Sequence, residues 1–573
     1  MYEDDFLTHL IQDHSMGDHS AAQESTALQT LTKENHVLRE QYATLLHEIR
    51  MRDEEIRRLA QVPGVTVPLP MMADSYKAGH YLMYPDALLM SAYGEFRKPM
   101  FPSTGDTRFV FCGMDHIIKT YLNRQWTLAD LEHAEQFYAT HNAGFTKYDF
   151  PKDLFQDFIN QGTGYFPVKI EALPEGTVAN IHTPVFIITA HDKYSRLCTF
   201  LETVLTMVWY PTTVATLSRF AKELIRKSFH ETVDDVDVLQ DLLDYKLHDF
   251  GFRACTCGEQ SIIGGKAHLL NFKGSDTMSA CWHAQNYDNL GLPVATSVPA
   301  TEHSVMTSWP SEYEAMSNLF KVYGKDAIIS CVMDSYNYDE ALRNLLPVVK
   351  RWMDANPDCK CMFVIRPDSG DPVQQVLKGL HAADNCFGSD INSKGYKVLR
   401  RSAVIQGDGI NIHTIKAILD AAKQNGFSAL NIVFGMGGGL LQKVDRDTMS
   451  FATKLSYIAY ADQEKFGTHK DVMKMPASDP TKFSLPGLLH VARDPNNFNQ
   501  VTVYPAEDPY GKRKPSIMET VYDHGPVARL STATFDNIRA RVEKEWHQTH
   551  ADHNPVSQAL RAKIMAINPQ AAD

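Results

Sequence analysis

The sequence predicts an α/β protein: a parallel α/β barrel or doubly wound sheet beside a β-rich α+β part, preceded by a coiled-coil helix. Three observations predict it. From about residue 240, short apolar segments end in polar or glycine-rich tips with helix-like stretches between several of them, the pattern of a parallel sheet. The stretch "VKIEALPEGTVANIHTPVFIITA" (168–190) alternates or runs with β-branched residues between turn signals and reads as antiparallel β. Residues 27–60 repeat apolar positions in sevens.

The bulk numbers bound the answer. A chain of 573 residues exceeds one ordinary domain and suggests about three. Lys and Arg total 56 against 69 Asp and Glu, a formal charge of −13. That argues against generic nucleic-acid binding, which needs a dominant basic surface, but leaves room for a local basic pocket facing a phosphorylated small molecule. Nine cysteines, an odd count, form no disulfide framework and point to a reducing cytoplasm. Cys255/Cys257 and Cys359/Cys361 stand closer than the usual paired zinc ligands and read as ordinary thiols. No apolar run approaches the ~18 residues of a membrane span, and the acidic start "MYEDDFLTHL" lacks the basic opening of a targeting signal. The expectation is a cytoplasmic protein with no membrane or nucleic-acid partner.

Taken in order, residues 1–26 hold a small apolar cluster (Phe6, Leu7, Leu10, Ile11) and then the linker-like "HSMGDHSAAQES". In residues 27–60, Leu28, Asn35, Tyr42, Ile49 and Ile56 fall at heptad position a, and Leu31, Leu38, Leu45, Arg52 and Leu59 at d. Neither Pro nor Gly interrupts them. Asn35 at an a position is a device for fixing register and strand number, and Glu34 could pair with Arg39 of a partner helix. Arg52 weakens the far end. Self-association is the expectation; the alternative is a lone amphipathic helix on the globular body. "VPGVTVPLP" ends the helix. Beyond it, residues 66–235 and 446–573 are expected to form the β-rich α+β domain and residues 236–445 the barrel.

Within the barrel region the apolar segments are "YKLHDFGFR", "AHLLNFKGSDT", "AIISCVMDSYN", "CMFVIRPDSG", "AVIQGDG" and "LNIVFGMGGG", with helical stretches at 337–357 and at "IHTIKAILDAAKQNG". Functional groups gather at the C-terminal ends of such strands. "FGMGGGLLQK" sets Gly435, Gly437, Gly438 and Gly439 after a β-rich run, as an anion cradle or as a tight structural turn. It lacks the Gly-Lys-Ser/Thr ending of a P-loop. "IRPDSGDP" puts Arg366 and Asp368 on one tip, and "IQGDG" adds Gly407, Asp408 and Gly409. Arg suits fork-like recognition or stacking on a flat ring. The aspartates suit a ribose diol or a metal, or are turn residues. Acidic tips beside a glycine-rich cradle suit a sugar phosphate with Mg²⁺. "SVPATEHS" sets Glu302 beside His303 where an apolar stretch stops at Pro299; a hydrogen-bonded histidine near a helix start is the plain alternative.

The words "ADSYKAGHYLMYPD" (73–86), "YKLHDFGFR" (245–253), "HLLNFKGSDT" (268–277), "SVPATEHS" (297–304), "IRPDSGDP" (365–372), "NSKGYKVL" (392–399), "VIQGDG" (404–409) and "FGMGGGLLQK" (434–443) closely resemble those of the nicotinamide phosphoribosyltransferases, in that family's order, from about residue 70 to about 545. The resemblance implies the irregular (β/α) barrel of the type II phosphoribosyltransferases and a homodimer with shared active sites. It also implies synthesis of nicotinamide mononucleotide and pyrophosphate from nicotinamide and 5-phosphoribosyl-1-pyrophosphate in NAD salvage, with Mg²⁺ as cofactor and ATP as coupled substrate.

Residue by residue, the resemblance implies that the nicotinamide ring lies between Phe250 and the partner's Tyr76, bordered by Arg366, with Asp276 accepting from the carboxamide NH₂. Asp368 is expected at the ribose hydroxyls, and Gly407, Asp408, Gly437 and Gly438 at the 5′-phosphate and ribose. Arg97, Arg253, Arg446, Lys454, Lys474 and Lys482 match the basic set that receives pyrophosphate, part of it from the partner subunit. His303 matches a histidine phosphorylated by ATP, oriented by Glu302 or Asp334. The Mg²⁺ ligands stay unassigned. Three features depart from the family: Cys255 and Cys257 in "ACTCGEQSIIGG", Met436 where the cradle usually carries a hydroxyl expected to meet phosphate, and residues 1–65, which could join catalytic dimers into a higher oligomer or tether another protein. Rival readings are a nicotinate phosphoribosyltransferase, which Asp276 argues against, a scaffold with a degenerate site, and a metal-dependent aldolase.

Overall fold

Six short parallel strands lie side by side in the order Gly274–Ser275, Leu247–Asp249, Ile432–Met436, Ser402–Gln406, Met362–Arg366, Ile328–Val332. The computed structural model describes residues 67–236, 240–325, 328–356, 361–474, 483–528 and 534–568. The expected coiled coil at about 27–60 and Lys482 lie outside the described residues. The strands are apolar runs with nearly every side chain buried, as expected of strands covered on both faces.

The two edges of this sheet do not stay open. Thr296 bridges in parallel to Gly274, and Ala300 to Ser330. Residues 296–300 thus act as a seventh stave. Ser275 N–H donates to the Thr296 carbonyl (3.1 Å), and Ser330 N–H to the Pro299 carbonyl (2.9 Å). Proline has no N–H to offer a ladder, yet here only its carbonyl is needed. The result is an irregular barrel, and every strand points its C-terminal end to the same rim.

Helices return the chain between strands. Ile412–Gln424 starts at Asn411, whose side chain accepts from the N–H groups of His413 and Thr414, and it buries Ile415, Ile418, Leu419 and Ala422. That spacing is one face of a 3.6-residue period, and each such aliphatic side chain stabilises by roughly 1.5–3 kcal/mol on burial. Residues 337–357 hold two helices, Tyr338–Asn344 and Leu346–Ala355, the second with proline in its first turn. "AHLL" differs from the expectation: it ends the helix Gly258–Leu269, and the strand after it is only Gly274–Ser275. A short apolar run fits a buried helix end as well as a strand.

The second sheet is antiparallel: His469–Asp471, Ala452–Tyr460, Ala87–Glu95, Pro184–His191, Lys169–Ala172, Glu519–Asp523. It draws on both sides of the barrel in sequence, and the stretch 168–190 supplies two of its inner strands. The long helix Trp209–Thr232 runs between the barrel and a small antiparallel pair, Arg108–Val110 and Val178–Asn180. Its Thr216 Oγ1 accepts from Val110 N–H (3.0 Å) on one side, while Tyr210 Oη donates to the Leu441 carbonyl (2.7 Å) on the other. No helix among the described residues is long and apolar enough to cross a membrane.

Candidate active site

The barrel rim collects most of the residues singled out by the sequence. Phe250 follows the strand Leu247–Asp249, and its N–H donates to the Met436 carbonyl of the neighbouring strand (3.0 Å). Its ring lies against Gly435 and Gly407. A Cβ at Gly435 would stand 2.1 Å from a ring carbon, and one at Gly407 3.1 Å. Glycine at 435 therefore gives the ring its place. The Arg366 guanidinium carbon sits 5.6 Å from the centre of the ring, within cation–π range, and Nη2 donates to Asp368 Oδ1 at 3.0 Å. Arg366 Nε is buried with no hydrogen-bond partner.

Asp276 stands at the end of Gly274–Ser275. Its N–H donates to the Asp249 carbonyl (2.9 Å). Its side chain is 45% exposed, and Oδ1 lies 3.8 Å from His248 Nδ1. Ser297 Oγ donates to that same oxygen at 2.6 Å. Beneath it lies Asp249, which the motif words do not flag. Its carboxyl is fully buried, accepts from Gly251 N–H (2.7 Å), and is pushed up to about 6 by burial. Its only signal in the sequence is that it closes an apolar run one residue before Phe250.

His303 opens the helix His303–Thr307. Nδ1 lies 3.0 Å from Ser335 Oγ, and Nε2 lies 3.5 Å from Asp368 Oδ2 and 3.8 Å from Asp334 Oδ1. Glu302 is exposed and accepts from Ser304 Oγ. Asp334 is nearly buried. Oδ2 accepts from Asp368 N–H (2.8 Å), Ser369 N–H (2.7 Å) and Ser369 Oγ (2.6 Å), while Oδ1 has no hydrogen-bond partner. Burial, together with the Asp334 charge, pushes the neighbouring Glu312 carboxyl up. Ser335 and Ser369 are further members of this corner; they lie inside the words "AIISCVMDSYN" and "IRPDSGDP" but have no role assigned there.

The glycine tips face the same rim. Gly407 is half-buried and Asp408 exposed, with Gln406 Nε2 donating to the Asp408 carbonyl (3.0 Å). Gly437 precedes the short helix Gly438–Leu441, whose first N–H groups have no acceptor within the helix. Met436 stands where the family usually carries a hydroxyl. It is fully buried, with its side chain packed against Gly439. It occupies the core and not the place of a phosphate-facing hydroxyl.

The remaining basic residues divide. Arg253 is exposed on the turn Phe252–Ala254 at the rim. Arg446 is exposed, 3.9 Å from Asp447. Arg97, Lys454 and Lys474 gather on the antiparallel sheet, where burial and then the Arg97 and Lys474 charges pull the Lys454 ammonium down, against Glu202 and Glu95. Tyr76, 53% exposed, stands edge-on to His80 (4.8 Å) beside Lys77, which pairs with Glu202. Among the described residues, no hydrogen bond, ion pair or ring contact joins this patch to the rim. Nor does any group of three or more His, Cys, Asp or Glu among them offer a metal cage.

Residues 245–505 match the family model of the nicotinate phosphoribosyltransferase (NAPRTase) family, and residues 69–170 that of the nicotinamide phosphoribosyltransferase N-terminal domain. A nicotinamide phosphoribosyltransferase of Xanthomonas campestris pv. campestris is 37% identical over 483 residues, 83% of this chain and 98% of that protein. One of Acinetobacter baylyi is 29% identical over 513 residues, 82% and 96% respectively. Among solved structures, nicotinate-nucleotide pyrophosphorylase of Pyrococcus furiosus superposes with a TM-score of 0.54 at 14% identity, over 85% of this chain and 98% of that one. Human nicotinic acid phosphoribosyltransferase gives 0.52 at 15%, over 86% and 99%. At these identities the likeness is one of fold.

Proposed function

The chain belongs to the nicotinamide phosphoribosyltransferase family, and from that premise we propose that it joins nicotinamide to 5-phosphoribosyl-1-pyrophosphate, releasing nicotinamide mononucleotide and pyrophosphate for NAD salvage. The observation that carries this reading is the convergence of Phe250, Arg366 and Asp276 on one rim. The flat ring stacks on Phe250, a contact worth roughly 0.5–1.5 kcal/mol beyond burial. Arg366 donates to the carboxamide oxygen, and Asp276 accepts from its NH₂. Nicotinate would set a carboxylate against Asp276, and that like-charge pair disfavours it.

Asp368 takes the ribose hydroxyls, and the backbone at Gly407, Asp408, Gly437 and Gly438 takes the 5′-phosphate. As the bond from ribose C1 to pyrophosphate loosens, the sugar becomes cation-like and negative charge grows on the leaving group. Preplaced cations stabilise that charge: Arg253 from the rim, and Arg97, Arg446, Lys454, Lys474 and Lys482 in part from a partner. The Tyr76, Arg97, Lys454 and Lys474 patch is the part a partner supplies, in a homodimer in which each subunit completes the other's site. The buried Asp334 Oδ1, which has no hydrogen-bond partner and lies beside Asp368, suits Mg²⁺, which is usually held by one or two carboxylates together with substrate phosphates. When bound, Mg²⁺ supplies positive charge to the leaving group.

His303 carries the ATP coupling. Asp334 and Asp368 face Nε2 and favour a proton there, which leaves Nδ1, beside Ser335, with the lone pair. ATP transfers its γ-phosphoryl group to that nitrogen, and ADP leaves. Residues 1–65 assemble catalytic dimers into a higher oligomer through the heptads at about 27–60.

The test is incubation with nicotinamide, 5-phosphoribosyl-1-pyrophosphate, Mg²⁺ and ATP, with the mononucleotide detected and nicotinate run in parallel. Nicotinamide mononucleotide formed in clear preference is expected. Equal or better turnover of nicotinate overturns the role of Asp276, and no product from either base overturns the activity.

A further inference from the structure

The two oxygens of Asp276 are not equivalent. Oδ1 accepts the Ser297 hydroxyl at 2.6 Å and faces His248 Nδ1 at 3.8 Å. Among the described residues no donor reaches Oδ2. We propose that Ser297 is a specificity-determining positioning residue: its hydroxyl pins one oxygen of Asp276 so that the other is held out, as an acceptor only, to the carboxamide of the base. The proposal rests on the reading of Asp276 as the acceptor of the carboxamide NH₂.

The pin belongs to the closure of the barrel. Ser297 follows Thr296, whose carbonyl accepts from Ser275 N–H (3.1 Å) and whose N–H donates to the Lys273 carbonyl (2.8 Å). Asp276 follows Ser275. Donor and acceptor therefore sit on two staves locked to each other by backbone bonds immediately beside them. Their meeting does not depend on a mobile loop.

From the other side, His248 crowds the same oxygen, and only a glycine at 274 admits it: a Cβ there would stand 2.5 Å from the His248 ring. At 3.8 Å the imidazole is too far to hydrogen-bond. Among the described residues, the Ser297 hydroxyl thus makes the one hydrogen bond to the carboxylate.

A carboxylate fixed at one oxygen presents a single, directed acceptor. An amide NH₂ satisfies it. A carboxylate ligand cannot, because it has no proton to give and the Ser297 donor is already spent on Oδ1. Without the pin, the half-exposed side chain of Asp276 rotates freely and the penalty against a carboxylate falls. Ser297 itself is exposed, so removing its hydroxyl opens no hole in the core.

The experiment measures kcat/KM for nicotinamide and for nicotinate in the full-length protein and in Ser297→Ala, Ser297→Thr and Asp276→Asn. Ser297→Ala is expected to lower the nicotinamide value about 10-fold or more, the usual consequence of losing a hydrogen bond to a charged group, and to narrow the ratio of the two bases. Ser297→Thr, which keeps the hydroxyl, should restore both. A ratio unchanged within about twofold in Ser297→Ala, or a Ser297→Thr variant no better than Ser297→Ala, overturns the proposal. Asp276→Asn separates the two levels: if it leaves the ratio intact, the reading of Asp276 fails. If it collapses the ratio while Ser297→Ala does not, Ser297 alone fails.

Discussion

Asp334 holds the Asp368 tip in place. One carboxylate oxygen of Asp334 takes the N–H groups of Asp368 and Ser369 and the Ser369 hydroxyl, all within 2.8 Å. The strand Ile328–Val332 thereby fixes the end of its neighbour Met362–Arg366. Replacing Asp334 with alanine strands these donors and frees the tip. The expected result is a fall of ~100-fold in kcat/KM for phosphoribosyl pyrophosphate, equivalent to ~2.7 kcal/mol, read by steady-state kinetics. A variant within threefold of the parent would refute it.

Gly435→Ala drives a methyl group to 2.1 Å from the Phe250 ring. The ring must leave the rim. Overpacking of this kind costs ~1–3 kcal/mol of stability, measurable by urea unfolding. The KM for nicotinamide should rise about 10-fold, or ~1.4 kcal/mol, with a smaller change in kcat. An unchanged KM would mean that the base does not lie on Phe250.

His303→Ala removes the nitrogen that would carry the phosphoryl group. Synthesis of the mononucleotide should continue slowly without ATP, and added ATP should no longer raise it. Persistent stimulation by ATP would rule out the histidine as its route.

His268 reports on acid stability. It is fully buried, with Nδ1 2.9 Å from Ser218 Oγ and Nε2 3.2 Å from the Gly274 carbonyl. Burial lowers its imidazole to about 3, against an ordinary value of 6.5. The unfolded chain therefore takes up a proton that the folded one refuses. The associated stability is complete above pH 6.5 and is lost progressively as pH falls toward 3. Between pH 7 and 4 the loss should be on the order of 3 kcal/mol. His268→Gln, which can keep both hydrogen bonds, should show a shallower decline in denaturant titrations across that window.

Deleting residues 1–62 tests the heptads. The mass in solution is expected to fall to that of a catalytic dimer while activity is retained. The same assembly with and without them would show that the repeat does another job.

The barrel was legible where an apolar run ended in an unusual tip. The strands at Leu247–Asp249, Ile328–Val332, Met362–Arg366, Ser402–Gln406 and Ile432–Met436 each fall in such a run, and Phe250, Arg366, Asp368 and the glycines stand on their tips. What escaped was long-range. The closing stave pairs through single residues at Thr296 and Ala300, too short to leave a pattern. Lys454 comes near Arg97 because its strand pairs with Ala87–Glu95, setting it opposite Tyr93, and the pairing of strands more than 350 residues apart is not written locally. The burial of Met436 was not legible either: a residue inside a glycine-rich word gives no local sign of its face, whereas strand alternation turns it inward with Ile432 and Phe434.

The seventh stave also works as a ruler. Between Ser297 at one end and His303 at the other, its backbone is anchored at Thr296, Pro299, Ala300 and Thr301, so the spacing from the base end of the groove to the histidine is set by residue count. An insertion or deletion of one residue in 298–302 would put both ends out of step together. Substitutions there should be tolerated far better than any change of length.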